Sequence, residues 1–585
     1  MRCHENGRSR GVRRREYWTY SQGAQRGERP FSWQPQIKKF IPGECPNRPS
    51  WRRRASLVWL GQTALLPPCP AGDFGHSHVR SVCKQTLELV ITHISNRNSV
   101  NFIMFRITKS AMKRTEQEDE SWLEQEIARS EFRDARLRKR FGLLLERLWK
   151  GMGQTIPLAC QDWANTKAAY RFMDNDRVNE QDILSGHFQA TAQRFSATDG
   201  PILVLQDTTS FSYERERPEL IGYASNTLTA AKRYGRDKAS PQCGILMHSS
   251  LAVTNEGLPL GLAFVKFWSR KEFKNTARKR SKVNFTRIPI ESKESYRWIE
   301  SLRHSTARLG DPERCVHIGD RESDIFELFC AASELGTHFL VRTCTNRLAG
   351  DGKHTVADEM SEARVKGLHR IEFRDAKGRP HQALLEIRYR RLTIWPSVAK
   401  QRHYPALGVT IIHATECGDP ADRPRVEWKL VTDLPVNSRS DAIEKIDWYA
   451  MRWKIETFHK NLKSGCKAEE SQLRTASRLT NLIAIFCILA WRVFWLTEIN
   501  RSAPEASPEV ALTATEAMLL DQLVKDTART AQAPPLSRSL IKLAQLGGYL
   551  ARANDPPPGN KVIWRGMHRL VEIQIGYWLG RENSG

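Results

Sequence analysis

The stretch from Tyr449 to Lys463 carries two adjoining stripes of side chains at helical spacing. One stripe is polar and charged, the other is apolar, and both repeat at steps of three and four residues. The polar stripe is Tyr449, Arg452, Glu456, His459 and Lys463, and the apolar stripe is Trp448, Met451, Ile455, Phe458 and Leu462. The pattern predicts a helix that packs on a core by one stripe and presents a single carboxylate among cations by the other. The alternative interpretation is an ordinary solvated charged face.

Length and charge limit what the chain can be. Its 585 residues are enough for several domains, and its net charge of +26 favours a polyanionic partner, most simply nucleic acid. Residues 1–111 hold 19 Lys and Arg against 6 Asp and Glu and follow no helix or strand period, so we expect them to be largely disordered. They are either a basic arm on DNA or sequence upstream of a translation start near Met112, and we favour the second.

Cysteine usage and hydropathy bear on the compartment. The 12 cysteines are scattered, without Cys-x-x-Cys pairs or zinc-type spacings, which favours reduced thiols in the cytoplasm. The first residues are polar and rich in Arg, unlike a signal peptide. The most apolar run, Leu482 to Trp491, is too short to span a bilayer and predicts a buried helix. We therefore expect a cytoplasmic protein with no membrane partner.

Two short apolar runs, typical of strands buried on both faces, each lead to an aspartate. Ile202 to Leu205 is followed by Asp207, and Cys315 to Gly319 is followed by Asp320. Residues 350–435 are rich in strand patterns, whereas 121–198 and 537–578 are helical in pattern. Residues 269–287 carry eight cations and one acid and predict a mobile basic loop. These patterns together predict an α/β chain.

Asp207, Asp320 and Glu456 are the candidate catalytic residues. Two aspartates at neighbouring strand ends and one glutamate on a helix can hold two divalent cations on oxygen ligands, which assists in-line phosphoryl displacement. Each acid alone has a simpler interpretation as a helix cap or a surface charge, and Asp320 could be only a cap. Glu322 is the alternative to Asp320 as the middle ligand. We prefer Asp320 because it follows its strand directly.

The motifs around these acids resemble those of bacterial DDE transposases of the IS-four group. The matching elements are Asp-Thr-Thr at 207–209, Asp-Arg-Glu-Ser-Asp at 320–324, and the family's Tyr-Arg-Glu-Lys signature at Tyr449, Arg452, Glu456 and Lys463. Residues 167–172, Lys-Ala-Ala-Tyr-Arg-Phe, are similar to the family's amino-terminal DNA-binding domain. Residues 543–578 are similar to its carboxy-terminal dimerisation region. The likeness covers most of residues 120–580.

The resemblance implies a fold and a division into domains. It implies a ribonuclease-H-like, mixed-sheet catalytic core at 199–500, with a β-rich insertion at about 345–435. A helical DNA-binding domain would occupy 112–198, and a helical dimerisation region would occupy 501–585.

The resemblance also implies roles for individual residues. Asp207, Asp320 and Glu456 would bind two Mg²⁺ or Mn²⁺ ions. Tyr449, Arg452 and Lys463 would hold phosphates at the transposon end. Trp428 lies where the family places a tryptophan that stacks on a flipped base, and its alternative interpretation is a core aromatic.

Four further cations are predicted to contact DNA. Arg136 and Arg140 share a basic helix face, which either binds phosphates or only makes the helix soluble. Arg342 and Lys460 lie beside the motif residues in the sequence, at the end of a predicted strand and in the stretch from Tyr449 to Lys463.

The resulting hypothesis is a cut-and-paste DNA transposase that acts as a homodimer on double-stranded DNA, both at the inverted-repeat ends and at the target. The family's route implies a nick at the end, a hairpin formed by the freed 3′-hydroxyl, and strand transfer. One alternative is a non-catalytic DNA-binding or inhibitory relative, against which the acidic triad argues. The other is a stand-alone ribonuclease-H-like nuclease, against which the dimerisation-like tail argues.

Overall fold

The computed structural model describes residues 122–224, 242–271, 288–374 and 380–582. Two predictions therefore lie outside the described residues: the disordered segment 1–111, and the part of the basic loop from 272 to 287.

The N-terminal region is helical, as its periodicity predicts. Its helices are α1 (Trp122–Ile127), α2 (Ala135–Lys150), α3 (Ile156–Cys160), α4 (Trp163–Met173) and α5 (Glu180–Ser196). The carboxylate of Asp134 caps α2 by accepting the N–H of Arg136 at 2.8 Å. The apolar positions Phe141, Leu145 and Leu148 are buried, so one face of α2 packs inward.

A single mixed sheet forms the centre of the molecule. Its strands are β1 (Ile202–Glu214), β2 (Gln242–Thr254), β3 (Pro259–Trp268), β4 (Cys315–Gly319), β5 (His338–Arg342), β6 (Leu348–Ala349), β7 (His354–Thr355), β8 (Gly367–Arg374), β9 (Pro380–Ile394), β10 (Leu407–Glu416) and β11 (Glu427–Thr432). The spatial order is β3-β2-β1-β4-β5-β11-β10-β9-β6-β7, with β8 paired to β9. The architecture is thus mixed α/β, as the sequence predicts.

Strand directions divide the sheet into three parts. β1, β2 and β3 are antiparallel neighbours, whereas β4 runs parallel to both β1 and β5. The strands of residues 350–435 continue this sheet, because β11 pairs antiparallel with β5. One expectation was wrong in detail: the strand that begins at Ile202 does not end before Asp207. It runs on to Glu214 because β2 pairs with it along its whole length.

Helices cover both faces of the sheet. The remaining helices are α6 (Arg297–Leu309), α7 (Phe326–Leu335), α8 (Val356–Ser361), α9 (Arg439–Ala450), α10 (Trp453–Lys460), α11 (Ala476–Ser502), α12 (Ala514–Leu523), α13 (Ala528–Ala531), α14 (Pro535–Leu546) and α15 (Asn560–Glu582). On β5, Leu340 joins the core cluster that contains α11, while Phe339 and Val341 join a second cluster with α6 and α7. The alternation shows that this strand is buried on both faces.

Helix α11 is the apolar centre of the larger core cluster. It includes the run from Leu482 to Trp491, whose side chains are all buried, so the prediction of a buried helix is confirmed. By length and composition α11 could cross a membrane, but 94% of its apolar window is buried inside the protein. A helix that is apolar on all sides and enclosed in this way is typical of the core of a large protein.

A buried polar network joins the N-terminal helices to the sheet. The carboxylate of Glu126 on α1 contacts His187 Nδ1 at 2.5 Å and Arg194 Nη1 at 2.8 Å, both on α5. His187 Nε2 accepts the backbone N–H of Leu262 on β3 at 3.0 Å. Burial alone would raise the pKa of Glu126, but Arg194 and His187 outweigh it and lower that pKa below its ordinary value.

We predict that Glu126→Gln destabilises the folded chain by about 3–5 kcal/mol at neutral pH, because it leaves Arg194 without its buried counter-charge. Since the folded-state pKa of Glu126 lies below the unfolded value, its contribution is present at neutral pH and is lost as pH falls through the folded pKa. Urea unfolding at neutral and acidic pH measures the difference. The control is Glu146→Gln, which removes an exposed pair with Lys150 and should change the unfolding free energy by less than about 0.5 kcal/mol. Equal effects of the two changes would contradict the prediction.

Candidate active site

Parallel pairing of β1 and β4 places the two aspartates beside each other. Leu205 of β1 pairs with Ile318 of β4, and each strand carries its aspartate two residues further on, at Asp207 and Asp320. The Asp320 carboxylate accepts the N–H of Glu322 at 2.9 Å and caps a short 3-10 turn, Arg321–Ser323. Asp320 therefore acts as a cap in the structure and also lies next to Asp207.

The stretch from Tyr449 to Lys463 is not one continuous helix. α9 ends at Ala450, a turn at Met451 and Arg452 follows, and α10 begins at Trp453. At this break the N–H of Arg452 bonds the carbonyl of Tyr449 at 3.0 Å, three residues back rather than the four of an α-helix. Beyond α10, Asn461–Gly465 forms one π-helical turn. The predicted apolar stripe is nevertheless buried at Trp448, Ile455, Phe458 and Leu462.

Arg452 lies between two of the candidate acids. α10 packs against β1, and Arg452 Nη1 is 3.6 Å from Asp207 Oδ2. The other terminal nitrogen of Arg452 pairs with Glu456, whose side chain is 49% exposed. The guanidinium thus links the strand aspartate to the helix glutamate.

The three carboxylates act on one another electrostatically. Burial, opposed by Arg452 and reinforced by Glu456 and Asp320, raises the pKa of Asp207 to about 7. Burial works to lower the pKa of Arg452, but Glu456 and Asp207 raise it above its ordinary value. The structure therefore brings Asp207, Asp320 and Glu456 into one neighbourhood, with a cation among them.

This neighbourhood is not a ready-made metal site. Among the residues that the structure describes, no three His, Cys, Asp or Glu side chains are arranged so as to hold one ion. The donor set is nevertheless that of a hard divalent cation, because every candidate ligand is a carboxylate oxygen. The Arg452 guanidinium supplies positive charge between Asp207 and Glu456, where the acids need compensation. The binding of Mg²⁺ or Mn²⁺ by these residues therefore stays a prediction.

His459 lies beside Asp207 and contacts Ser249 with its other ring nitrogen. His459 Nδ1 is 4.0 Å from Asp207 Oδ2, and its Nε2 is 2.9 Å from the hydroxyl of Ser249 on β2. Burial, with Lys463 and Arg452 adding to it, lowers the pKa of His459 to about 3, so the ring is neutral. The sequence places His459 on the polar stripe, but nothing in the sequence indicates Ser249 as its partner.

Arg297 connects the strand of one aspartate to the loop of the other. Its Nε donates to the hydroxyl of Thr208 at 3.0 Å, and a terminal nitrogen pairs with Glu322. Glu322, the alternative middle ligand, is thus engaged by Arg297 in the structure. Arg297 was not identified from the sequence, because it opens α6 without a motif around it.

The last acid of Asp-Arg-Glu-Ser-Asp has a structural role. Asp324 is fully buried, and one oxygen accepts from the Thr343 hydroxyl and from the N–H groups of Cys344 and Thr345 at 2.8–2.9 Å. Its other oxygen is 2.5 Å from Arg347 Nη1. Asp324 therefore anchors the chain that follows β5 rather than facing the candidate site.

Trp428, Tyr449 and Arg342 form a cluster beside the site. Trp428 is 8% exposed and meets Tyr449 edge to face, with ring centroids 5.6 Å apart. Arg342 donates to the carbonyl of Glu427 at 2.7 Å and also bonds the Tyr449 hydroxyl. Trp428 thus packs as a core aromatic in the free chain, and its contact with a flipped base stays a prediction, as do DNA contacts of Tyr449 and Arg342.

The predicted lysines are half-buried, and the predicted N-terminal arginines are exposed. Lys463 Nζ lies 5.8 Å from the centre of the Phe211 ring on β1. Burial lowers the pKa of both Lys460 and Lys463, and Lys561 lowers that of Lys460 further. Arg136 and Arg140 are exposed on α2. DNA contacts of all four remain predictions.

The region that contains α1 to α4 matches a known protein-family model. Residues 119–178 match the family model described as transposase DNA-binding. The match supports a transposase with DNA as its partner, and it includes both Arg136 and Arg140. It ends before β1, so it does not include the three carboxylates.

We predict that Asp207→Asn increases stability at alkaline pH in metal-free buffer. A folded-state pKa of about 7 against an ordinary value of 3.8 means that ionised Asp207 opposes folding, and this penalty grows as pH rises between those two values. Relative to wild type, the variant should gain about 2–3 kcal/mol between pH 5 and pH 8. Urea unfolding with a chelator present measures it. A difference between variant and wild type that does not change with pH would contradict the electrostatic account.

Proposed function

We propose that the chain is a cut-and-paste DDE transposase of the IS-four group, which cleaves DNA at transposon ends with divalent metal ions and joins the freed ends to target DNA. The observation that carries the proposal is the convergence of Asp207, Asp320 and Glu456 around Arg452. The DNA-binding match at residues 119–178 supports the same class of protein independently of the acids. The mixed sheet, with both aspartates beyond the β1–β4 pairing, supports a ribonuclease-H-like core.

Asp207, Asp320 and Glu456 are the proposed ligands of Mg²⁺ or Mn²⁺. Two such ions, when bound, help to activate the attacking oxygen and to stabilise the leaving oxygen of a phosphodiester. Glu456 is the proposed ligand with most freedom to adjust, because its side chain is half-exposed and, in the part of the chain that the structure describes, its ion pair is with Arg452 alone. Asp207 is restrained by the backbone N–H of Thr208, which donates to its carboxylate at 2.8 Å, and the ring of His459 lies beside it.

The cations of the polar stripe are the proposed contacts to the phosphates of the DNA substrate. Arg452, charged at all working pH values, can exchange a carboxylate for a phosphate oxygen of the scissile strand. Lys463, in the π-helical turn, adds a second positive group on the same side of β1. Tyr449 holds Arg342 in place and contributes a phosphate contact only by rearrangement, because it is buried.

In the proposed route, water first attacks the end phosphodiester and frees a 3′-hydroxyl. That hydroxyl attacks the opposite strand to form a hairpin, a second hydrolysis opens the hairpin, and the 3′-end attacks target DNA. In each step one oxygen attacks phosphorus and another oxygen leaves it, so the same carboxylates can act in every step. The whole sequence takes place on cytoplasmic DNA.

The proposed active form is a homodimer at paired ends. Support comes from α15, whose Ile575 and Trp578 side chains are 38% and 45% exposed although the helix is packed on α14. Apolar groups of this size on a terminal helix suit contact with a second copy of the chain.

We predict that Asp207→Asn or Glu456→Gln lowers Mg²⁺-dependent cleavage of a transposon-end duplex by more than about 100-fold. Loss of a residue that only positions a metal ligand typically costs about 10–100-fold, and loss of the ligand itself should cost more. DNA affinity should stay within a few-fold of wild type, since the region that matches the DNA-binding family, residues 119–178, includes neither acid. Denaturing gels with the full chain measure cutting, and mobility shift in chelator measures binding.

The matched control is Glu470→Gln, which removes an exposed acid that pairs with Lys467 near the site. It should cut as wild type does. Wild-type cutting by the Asp207 or Glu456 variant would end the catalytic assignment. Intact binding with no cutting by the wild-type chain would instead favour the non-catalytic, DNA-binding relative.

A further inference from the structure

Arg297, the first residue of α6, has a guanidinium whose three nitrogens are all engaged. Its Nε donates to the hydroxyl of Thr208 at 3.0 Å, and its Nη1 donates to the carbonyl of Glu294 at 2.9 Å. Its Nη2 pairs with the carboxylate of Glu322. The side chain is only 11% exposed, so the guanidinium is a fixed, internally bonded group rather than a free cation on the surface.

Two indole rings flank the guanidinium and restrict it further. Its central carbon lies 5.7 Å from the ring centres of both Trp268 and Trp298, within the range of a cation–π contact. Trp298 is buried, and Trp268, at the end of β3, donates its indole N–H to the Glu294 carboxylate at 2.8 Å. Arg297 is therefore held in place by its surroundings as well as by its hydrogen-bond partners.

Two partners of Arg297 lie next to the two aspartates of the candidate site. Thr208 directly follows Asp207, and its backbone N–H donates to Asp207 Oδ1 at 2.8 Å. The backbone N–H of Glu322 donates to Asp320 Oδ1 at 2.9 Å. The guanidinium thus bridges the two residues whose backbone N–H groups bond the two carboxylates.

Backbone pairing between β1 and β4 ends before the aspartates are reached. The last paired residues are Leu205 and Ile318. From there β1 continues along β2, whereas the chain after β4 enters the 3-10 turn Arg321–Ser323. The bridge through Arg297 links the two segments beyond the point at which their backbones separate.

The bridge also fixes the hydroxyl of Thr208. An arginine can only donate, so the Thr208 oxygen accepts from Arg297 and gives its own proton to His248 Nδ1, 2.9 Å away on β2. Burial, with Arg297 adding to it, lowers the pKa of His248 well below its ordinary value, so the ring is neutral and can accept. Thr208 is held from both sides, and with it the N–H that bonds Asp207.

We propose that Arg297 is a positioning residue of the active site, which holds Asp207 and Asp320 at the separation that the proposed pair of divalent cations requires. It acts through Thr208 and Glu322 and touches neither the ions nor the DNA. The same contact keeps Glu322, the alternative middle ligand, directed to Arg297 and leaves Asp320 as the ligand. The proposal rests on the proposed function and adds to it a residue outside the three motifs.

The test compares cleavage, metal binding and DNA binding of the full chain, with a labelled duplex of the flanking inverted repeat. Arg297→Gln should lower cleavage at saturating Mg²⁺ by about 10–100-fold, the usual cost of losing a group that orients a metal ligand. Mn²⁺ binding, followed by electron paramagnetic resonance without DNA, should weaken by about the same factor. DNA affinity in chelator, and its slope against log salt, should equal those of wild type, because Arg297 contacts no phosphate.

Two further variants test the route of the effect. Thr208→Val removes the hydroxyl and should also slow cleavage, but the double variant with Arg297→Gln should cut no more slowly than Arg297→Gln alone, because the two residues act in one chain of contacts. Arg297→Lys keeps the charge but loses the fork that reaches both Thr208 and Glu322, so it should recover only part of the loss.

The matched control is Arg303→Gln on the same helix, which removes an exposed pair with Glu334 at 3.8 Å. It should cut DNA and bind Mn²⁺ within about twofold of wild type. Thermal unfolding shows whether each variant is folded. If Arg297→Gln is not, Arg297→Lys and Thr208→Val carry the same comparison.

Four results would overturn the proposal while the proposed function stands. The first is wild-type cleavage by Arg297→Gln, and the second is reduced cleavage with wild-type Mn²⁺ affinity. The third is a smaller salt slope, which would make Arg297 a phosphate contact. The fourth is a double variant in which the losses from Arg297→Gln and Thr208→Val multiply. A wild-type chain that neither binds Mn²⁺ nor cuts the duplex would instead end the catalytic part of the proposed function, and this inference with it.

Discussion

The Arg452 guanidinium is the counter-charge on which the carboxylate cluster depends. Asp207 is mostly buried, and the negative potential of Glu456 and Asp320 adds to the cost of ionising it. With no cation nearby, such acids hold protons at neutral pH and lose their value as ligands. Arg452 opposes the rise in the pKa of Asp207. The helix α10 and the turn before it lie at this place because their apolar stripe packs on β1 and the core. The same demand for positive charge supports the proposal that the cluster binds divalent cations.

Helix α11 sets the position of the DNA-binding helices relative to that cluster. The Asn481 side chain donates to the carbonyls of Met173 and Val178 at 3.1 and 3.3 Å, where the matched region ends. Trp491 stacks under Arg194 of the Glu126 network and donates to the carbonyl of Pro259 on β3 at 3.1 Å. These bonds are buried and directional, so they restrict how the N-terminal helices and the sheet can move against each other. The matched region is therefore held in a defined relation to the carboxylate cluster.

Local pattern predicted most elements, and partner strands decided their limits. The buried strands that lead to Asp207 and Asp320, the buried helix around Leu482 and the helical N-terminal region all follow from hydrophobic periodicity. β1 is much longer than its apolar run because β2 pairs with every residue of it, including polar ones. The break at Arg452 was missed because both helical faces keep their spacing across it. Arg297 was missed because the contact that gives it a role depends on β1 and on the loop after β4, which are far apart in sequence.

The sequence by itself determined which residue types stand at strand ends and along the polar stripe, and so which chemistry the chain can carry out. It determined the order of the acids, because order and periodicity are properties of the chain alone. Only the tertiary structure decided which acids meet. Asp320 and Asp207 are neighbours because β4 lies parallel to β1, while Asp324, in the same motif, turns away to Arg347. The structure also decided that Trp428 is packed and Trp163 exposed, because burial depends on which surfaces the fold brings together.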